Sequence, residues 1–149
     1  MIEVKGNLWN HPADARVITT NGFVKKDGRA VMGRGIAYEA KQRYPDIDLW
    51  LGAMIRREGN IVSPLYWGLG DWGREALVSF PVKHNWWEKA DTFLITRSAF
   101  QLMSLADLQP SWKIICMPRP GCGNGRLDWV DVKMMIDPIL DDRFHVFSF

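Results

Sequence analysis

Two glycine-rich stretches, Met32-Gly-Arg-Gly-Ile-Ala37 and Pro118-Arg-Pro-Gly-Cys-Gly-Asn-Gly-Arg-Leu-Asp-Trp129, have the composition of loops that hold anions by backbone alone. Glycine lets successive N–H groups turn outward, and where the turn opens a helix the positive end of the helix dipole adds to them. Either stretch by itself fits a tight strand-to-helix turn equally well. Together they point to a ligand with two phosphates clamped between two loops. Lys83, in Phe80-Pro-Val-Lys-His-Asn-Trp-Trp87, is the candidate for bond-breaking chemistry. Desolvation at a strand exit among aromatic residues lowers a lysine pKa and makes it a better acid, base or nucleophile near neutrality. A solvated surface position is the commoner fate of a lysine. Asn21, delivered by the β-branched run Arg16-Val-Ile-Thr-Thr20, can offer a donor and an acceptor to a sugar, with a simple Asn-Gly turn as the alternative.

These residues must be brought to one place by a scaffold, and the apolar pattern describes one. Met1 to Lys5, Arg16 to Thr20, Lys113 to Met117 and Phe144 to Phe149 read as strands. Ile61 to Trp67 and Ala76 to Pro81 read as the arms of a hairpin around Gly68 to Gly73, with Pro81 ending its strand or lying at an edge. Helices are predicted from Tyr38 to Tyr44 with Pro45 as the stop, from Asp46 to Arg57, from Asp91 to about Leu108, and after Asp128. Asp46, Asp91 and Asp128 are placed to cap their helices. In the last helix Val132, Met135, Ile136 and Ile139 form the buried stripe and Pro138 breaks the final turn. Alternating strands and helices predict an α/β fold with one mixed sheet between helices, spanning 1–149 as one domain.

Composition narrows the function classes. A net charge of +2 is too small to imply a nucleic-acid binder by electrostatics alone, and the clusters Lys25-Lys26-Asp27-Gly28-Arg29 and Arg56-Arg57 read as solvated turns or helix faces. The two cysteines, Cys116 and Cys122, have neither zinc-ribbon nor CxxC spacing, so reduced thiols in a cytoplasmic protein are the expectation. His11, His84 and His145 are far apart without metal-binding spacing, and no metal or cofactor is expected. An acid at Glu3 and the lack of a long apolar run predict neither signal peptide nor membrane span. The 8 tryptophans show no period and read mostly as packing, with Trp86 and Trp87 as candidates to stack on a base.

Taken as a set, Lys5-Gly-Asn-Leu8, Ile18-Thr-Thr-Asn21, Met32 to Ala37, Phe80-Pro-Val-Lys83 and Pro118 to Trp129 resemble the macro domain family of ADP-ribose-binding α/β/α modules. The likeness runs over essentially the whole chain. It is greatest to the branch that holds DarG-like antitoxins and the terminal ADP-ribose protein glycohydrolase. The resemblance implies a three-layer α/β/α sandwich with a central mixed β-sheet and assigns roles. Asn7 and Leu8 sit where the family contacts adenine, Thr20 and Asn21 at the distal ribose, and Gly33, Arg34, Gly35, Ile36 and Ala37 in the first phosphate loop. Pro118, Gly121, Cys122, Gly123, Asn124, Gly125, Arg126 and Leu127 belong to the second, and Phe149 lies where an aromatic would stack beside adenine. Lys83 matches the catalytic lysine of the hydrolases. Three departures stand out: Asn7 replaces an aspartate that accepts from adenine, Ile18 replaces the first Asn of an Asn-x-x-Asn pair, and Gly125 occupies the position of the protein glycohydrolase's catalytic Asp. Lysine without that Asp is the DarG-like pattern. The implied activity is removal of a single ADP-ribose, from thymine in DNA rather than from a protein carboxylate, by a monomer whose partners are the ADP-ribosylated DNA and a cognate ADP-ribosyltransferase. The alternatives are an ADP-ribose 1''-phosphate phosphatase and a non-catalytic ADP-ribose reader.

Overall fold

The computed structural model describes residues 1–148. Six strands form one sheet: β1 (Ile2–Lys5), β2 (Ala15–Asn21), β3 (Ser63–Gly70), β4 (Gly73–Lys83), β5 (Ile115–Pro118) and β6 (Phe144–Ser148), in the order β1-β6-β5-β2-β4-β3. All neighbouring pairs are parallel except β3 with β4, the hairpin. The helices are α1 (Gly35–Arg43), α2 (Ile47–Glu58), α3 (Thr92–Asp107) and α4 (Trp129–Ile136).

A strand covered on both faces has to be apolar at consecutive positions, and β4 is buried without interruption from Glu75 to Val82. Its alternating side chains feed two separate cores. Val17, Val78, Met117 and Val146 pack against Ile95, Ala99 and Leu102 of α3 and Val132 and Ile136 of α4. Their sequence neighbours Ile18, Leu77, Cys116 and Phe147 pack against Ala37 and Ala40 of α1 and Ile47 and Leu51 of α2. This is the mixed, three-layer α/β/α arrangement expected from the residues.

Several local expectations are corrected. Pro81 neither ends its strand nor lies on an edge strand: β4 runs on to Lys83 inside the sheet. The position is tolerated because pairing with β3 stops at Ser79, so Pro81 faces only β2, opposite Thr20, and its missing N–H leaves no ladder bond unmade on the β3 side. Asp46 does not cap α2. It takes a left-handed φ of 64°, and its carboxylate instead accepts from the Arg29 guanidinium at 3.2 Å. Asp128 stands at the N-cap of α4 without a side-chain capping bond, whereas Asp91 accepts from the N–H groups of Phe93 and Leu94 as expected. Tryptophan packing is the largest revision: Trp9 and Trp112 are buried, but Trp50, Trp67, Trp72, Trp86 and Trp87 are exposed.

Candidate functional site

Parallel strands in one sheet end on the same edge, and ligand-binding loops of open α/β sheets gather there. On this edge β1 leads into Asn7 and Leu8, β2 ends on Asn21, β4 on Lys83, and β5 on Pro118 ahead of the second glycine loop. The topology thus assembles residues separated by more than a hundred positions in sequence. The remaining candidate, Phe149, follows β6 and lies outside the described residues.

The first loop enters α1 with Arg34 at the N-cap, and the arginine makes no side-chain capping bond. Among the described residues the N–H groups of Gly35, Ile36 and Ala37 have no acceptor, which leaves the start of the helix open to an anion. α2 holds this region from below: Asp48 accepts from Arg29 at 2.8 Å, and Gly52 passes so near the Gly28 carbonyl that a Cβ would lie 1.9 Å from it.

The second loop closes on itself. The Leu127 N–H donates to the Gly121 carbonyl at 2.9 Å and the Arg126 N–H to the Gly123 carbonyl at 3.0 Å, with Arg126 in the left-handed region at φ 63°. The intervening N–H groups of Gly123, Asn124 and Gly125 have no acceptor among the described residues. Gly125 is packed on its other side: a Cβ there would sit 2.5 Å from the Gly121 carbonyl oxygen and 2.8 Å from Ala90 Cβ. Gly123 and Gly33, by contrast, face open space. The two loops adjoin, since a Cβ on Gly35 would lie 3.4 Å from Asn124 Nδ2.

Lys83 joins β4 to the second loop. Its ammonium donates to the main-chain oxygens of Asn124 at 3.1 Å and Trp86 at 3.2 Å. Burial holds its pKa below the ordinary lysine value, and the nearby Arg126 and Arg34 guanidinium groups add to the effect. One arginine comes from each glycine loop, so both loops bring positive charge to bear on the lysine.

Other candidates are less free than their side chains suggest. Asn7 Oδ1 accepts from the Trp9 N–H at 3.0 Å, capping a short 3-10 turn. Asn21 donates from Nδ2 to the Val31 carbonyl at 3.1 Å and accepts at Oδ1 from the Phe23 N–H at 3.0 Å, so it secures its own loop before it can serve a sugar. Leu8 and Thr20 are buried, and the Thr20 hydroxyl has no hydrogen-bond partner among the described residues. Cys122 is partly buried, its thiol donating to the Pro120 carbonyl at 3.5 Å and pushed up to about 11 by burial. Two contributors went unrecognised in the sequence, neither with a local signal: Asn60 Nδ2 donates to the Lys83 carbonyl at 2.9 Å, and the Ala90 N–H donates to the Gly125 carbonyl at 3.0 Å. A separate cavity of about 480 Å³ lies at the opposite edge, between Arg16, Tyr44, Tyr66 and Glu75, and touches none of the glycine-loop residues. Among the described residues no three metal-ligating side chains cluster, and no helix is long and apolar enough to cross a membrane.

A six-stranded mixed sheet between two helical layers, with glycine loops facing one another across the strand ends, defines a macrodomain fold. No protein-family model matches the chain. The macrodomain of Mycobacterium tuberculosis DarG superimposes with a TM-score of 0.81 at 24% identity, covering 99% of this chain and 97% of that one. The macrodomain of Thermus aquaticus DarG does so with a TM-score of 0.76 at 26% identity, covering 99% and 96%. Thermosipho africanus DarTG in complex with ADP-ribose gives 0.82 at 17% identity over 98% of this chain and 41% of that one. In sequence the chain is 28% identical over 141 residues to a Thermus aquaticus protein named DNA ADP-ribosyl glycohydrolase, covering 93% of this chain. A Mycobacterium tuberculosis protein of the same name is 29% identical over 133 residues, 88% of this chain. The chain spans only 37% and 36% of the length of these relatives. Its fold is that of a macrodomain, and in sequence it is similar to the DarG type.

Proposed function

We propose that this chain binds ADP-ribose along the strand-end edge and removes it from modified DNA, with thymine as the leaving base. The observation that carries the reading is the Lys83 ammonium, 3.1 Å from the Asn124 carbonyl inside the loop whose free N–H groups suit a diphosphate. The names of the relatives support the activity. Residues 1–149 act as one macro domain and as a monomer in the cytoplasm, and a cognate ADP-ribosyltransferase supplies the modification.

The mechanism follows from the geometry. N–H groups of the two loops hold the diphosphate and fix the distal ribose beside Lys83, converting binding energy into orientation. The bond between ribose C1'' and the base nitrogen breaks, and its electron pair leaves with the base. Positive charge develops on the ribose as in other glycosyl transfers. The Lys83 ammonium delivers a proton to the departing base, water adds at C1'', and the proton that water loses returns to the lysine amine. Two flanking guanidinium groups favour that first proton transfer because they disfavour the charged lysine.

Calorimetric titration with ADP-ribose, followed by release of ADP-ribose from single-stranded DNA modified on thymine, tests the reading. Binding and release are both expected; binding without release would make the chain a reader, and absence of binding would overturn the assignment of the loops.

Two further outcomes follow. Gly33→Ala and Gly123→Ala meet no protein atom within 4 Å, so thermal stability should stay close to wild type while ADP-ribose affinity falls about tenfold, because the added methyl group occupies the space in which a phosphate approaches the backbone. Equal affinity in calorimetry would show that the ligand does not approach there. Because Lys83 acts while protonated, kcat/KM should fall as pH rises through its depressed pKa, and Arg126→Gln, by removing one of the cations that depress it, should move this alkaline limb to higher pH. A limb that stays in place in the Arg126→Gln profile would detach Lys83 from the proton transfer.

A further inference from the structure

Directly beside Lys83 stands a group of aromatic side chains that the ADP-ribose site does not use. Trp86 and Trp87 occupy the tip of the turn that follows β4, and they are 52% and 56% exposed. Their rings meet edge to face at 5.4 Å, and Phe23, from the loop after β2, meets Trp87 in the same way at 5.6 Å. Exposing this much contiguous aromatic surface is unfavourable unless something covers it.

The group is also held in place. On one side the Gly22 N–H donates to the carbonyls of Lys83 and His84, both at 3.1 Å, and the approach is so close that a Cβ on Gly22 would fall 2.8 Å from Asn60 Cγ. On the other side the Ala90 N–H is bound by Gly125 of the second glycine loop, and the Asp91 N–H by Val82 at 2.8 Å. The turn carrying both tryptophans is thus pinned at its two ends, and the Trp86 carbonyl is the acceptor for Lys83 Nζ at 3.2 Å. Basic residues outnumber acidic ones in the adjoining sequence: exposed Lys25 and Lys26 precede Asp27 shortly after Phe23, exposed Lys89 comes after Glu88 beyond Trp87, and Arg34 and Arg126 add positive charge near Lys83. Pre-ordered aromatic faces edged with cations match a nucleic-acid strand, whose bases stack and whose phosphates are anionic.

We infer that Phe23, Trp86 and Trp87 form a stacking platform for the nucleotides next to the modified base in single-stranded DNA. The inference rests on the glycohydrolase reading and adds to it the feature that tells a DNA-linked ADP-ribose from a protein-linked one. Unpaired bases are required, since a base inside a duplex offers no free face to an aromatic ring.

The test compares two substrates: ADP-ribosylated thymidine as the free nucleoside, and the same thymidine within a single strand of about ten nucleotides, long enough to reach a neighbouring platform. In wild type the strand should have a KM about tenfold lower than the nucleoside. Trp87→Ala should abolish that advantage while leaving kcat on the strand and hydrolysis of the nucleoside unchanged, and Trp87→Phe should keep most of it. The proposal is overturned if Trp87→Ala retains the advantage, or if nucleoside hydrolysis is lost as well, which would make the ring structural. It is also overturned if wild type handles both substrates with one KM, the result expected when a protein partner covers the patch. Wild type that binds ADP-ribose yet hydrolyses neither substrate would remove the glycohydrolase reading itself, an outcome that the wild-type measurement reports before any variant is made.

Discussion

Lys83→Ala should lose about 10²- to 10⁴-fold in kcat on thymine-ADP-ribosylated single-stranded DNA, the range expected when a positioned general acid is removed. ADP-ribose binding should change far less. The side chain gives up its two hydrogen bonds to main-chain oxygens in the variant, and the loss of each is worth about 1 kcal/mol, so affinity should fall by no more than about thirtyfold. Lys83→Arg separates charge from proton transfer. Arginine keeps a cation beside the loop but does not release its proton under these conditions, so it should be as inactive as alanine. Single-turnover rates on all three proteins, with calorimetric affinities on the same preparations, decide the matter. Recovery of the wild-type rate by Lys83→Arg would mean that positive charge alone suffices, and the proton-donor mechanism would have to be abandoned.

The second large effect is expected at Gly125. Gly125→Asp restores the residue type that the resemblance associates with a protein glycohydrolase, yet it should create no such enzyme. A Cβ at this position would overlap the Gly121 carbonyl oxygen at 2.5 Å and Ala90 Cβ at 2.8 Å, and the first of these is backbone already engaged by the Leu127 N–H. The loop must therefore move, at about 1–3 kcal/mol for overpacking, and the free N–H groups that it offers to the diphosphate move with it. ADP-ribose affinity should drop at least tenfold, the melting temperature should fall by several degrees, and no release from an ADP-ribosylated glutamate side chain should appear. Wild-type affinity combined with new protein-ester hydrolysis would show that the packing around Gly125 yields easily and that the missing carboxylate is the whole difference between the two substrate classes.

Much of this architecture was readable in the chain because its signals are local. Consecutive apolar residues mark the two-sided strands, glycines mark the loops before α1 and α4, and Lys83 follows a strand directly. The departures are cases where a distant partner overrides a local preference. Asp46 is drawn from the cap by Arg29, which is far off in sequence. Pro81 can sit in an interior strand because β3 happens to stop short. The exposure of Trp50, Trp67 and Trp72 went unforeseen for a related reason: apolar character predicts burial on average, and a surface kept apolar for a ligand looks the same in sequence as one kept apolar for a core.

The strand order also sets a timetable for synthesis. β1 is synthesised before the other five strands described, yet among the described residues its only sheet neighbour is β6, made after them, and β5 pairs with β6 on the other flank. The nascent chain therefore carries a complete glycine loop and a complete Lys83 turn while β1 still waits without a partner, its register with Phe144–Ser148 unavailable until those residues emerge. Closing a loop over nearly the whole chain is the slowest kind of contact to form. The segment after β1, with Asn7 and Leu8, is consequently fixed late, so a ribosome stalled before β6 would hold the two glycine loops and the Lys83 turn while that segment is still unanchored.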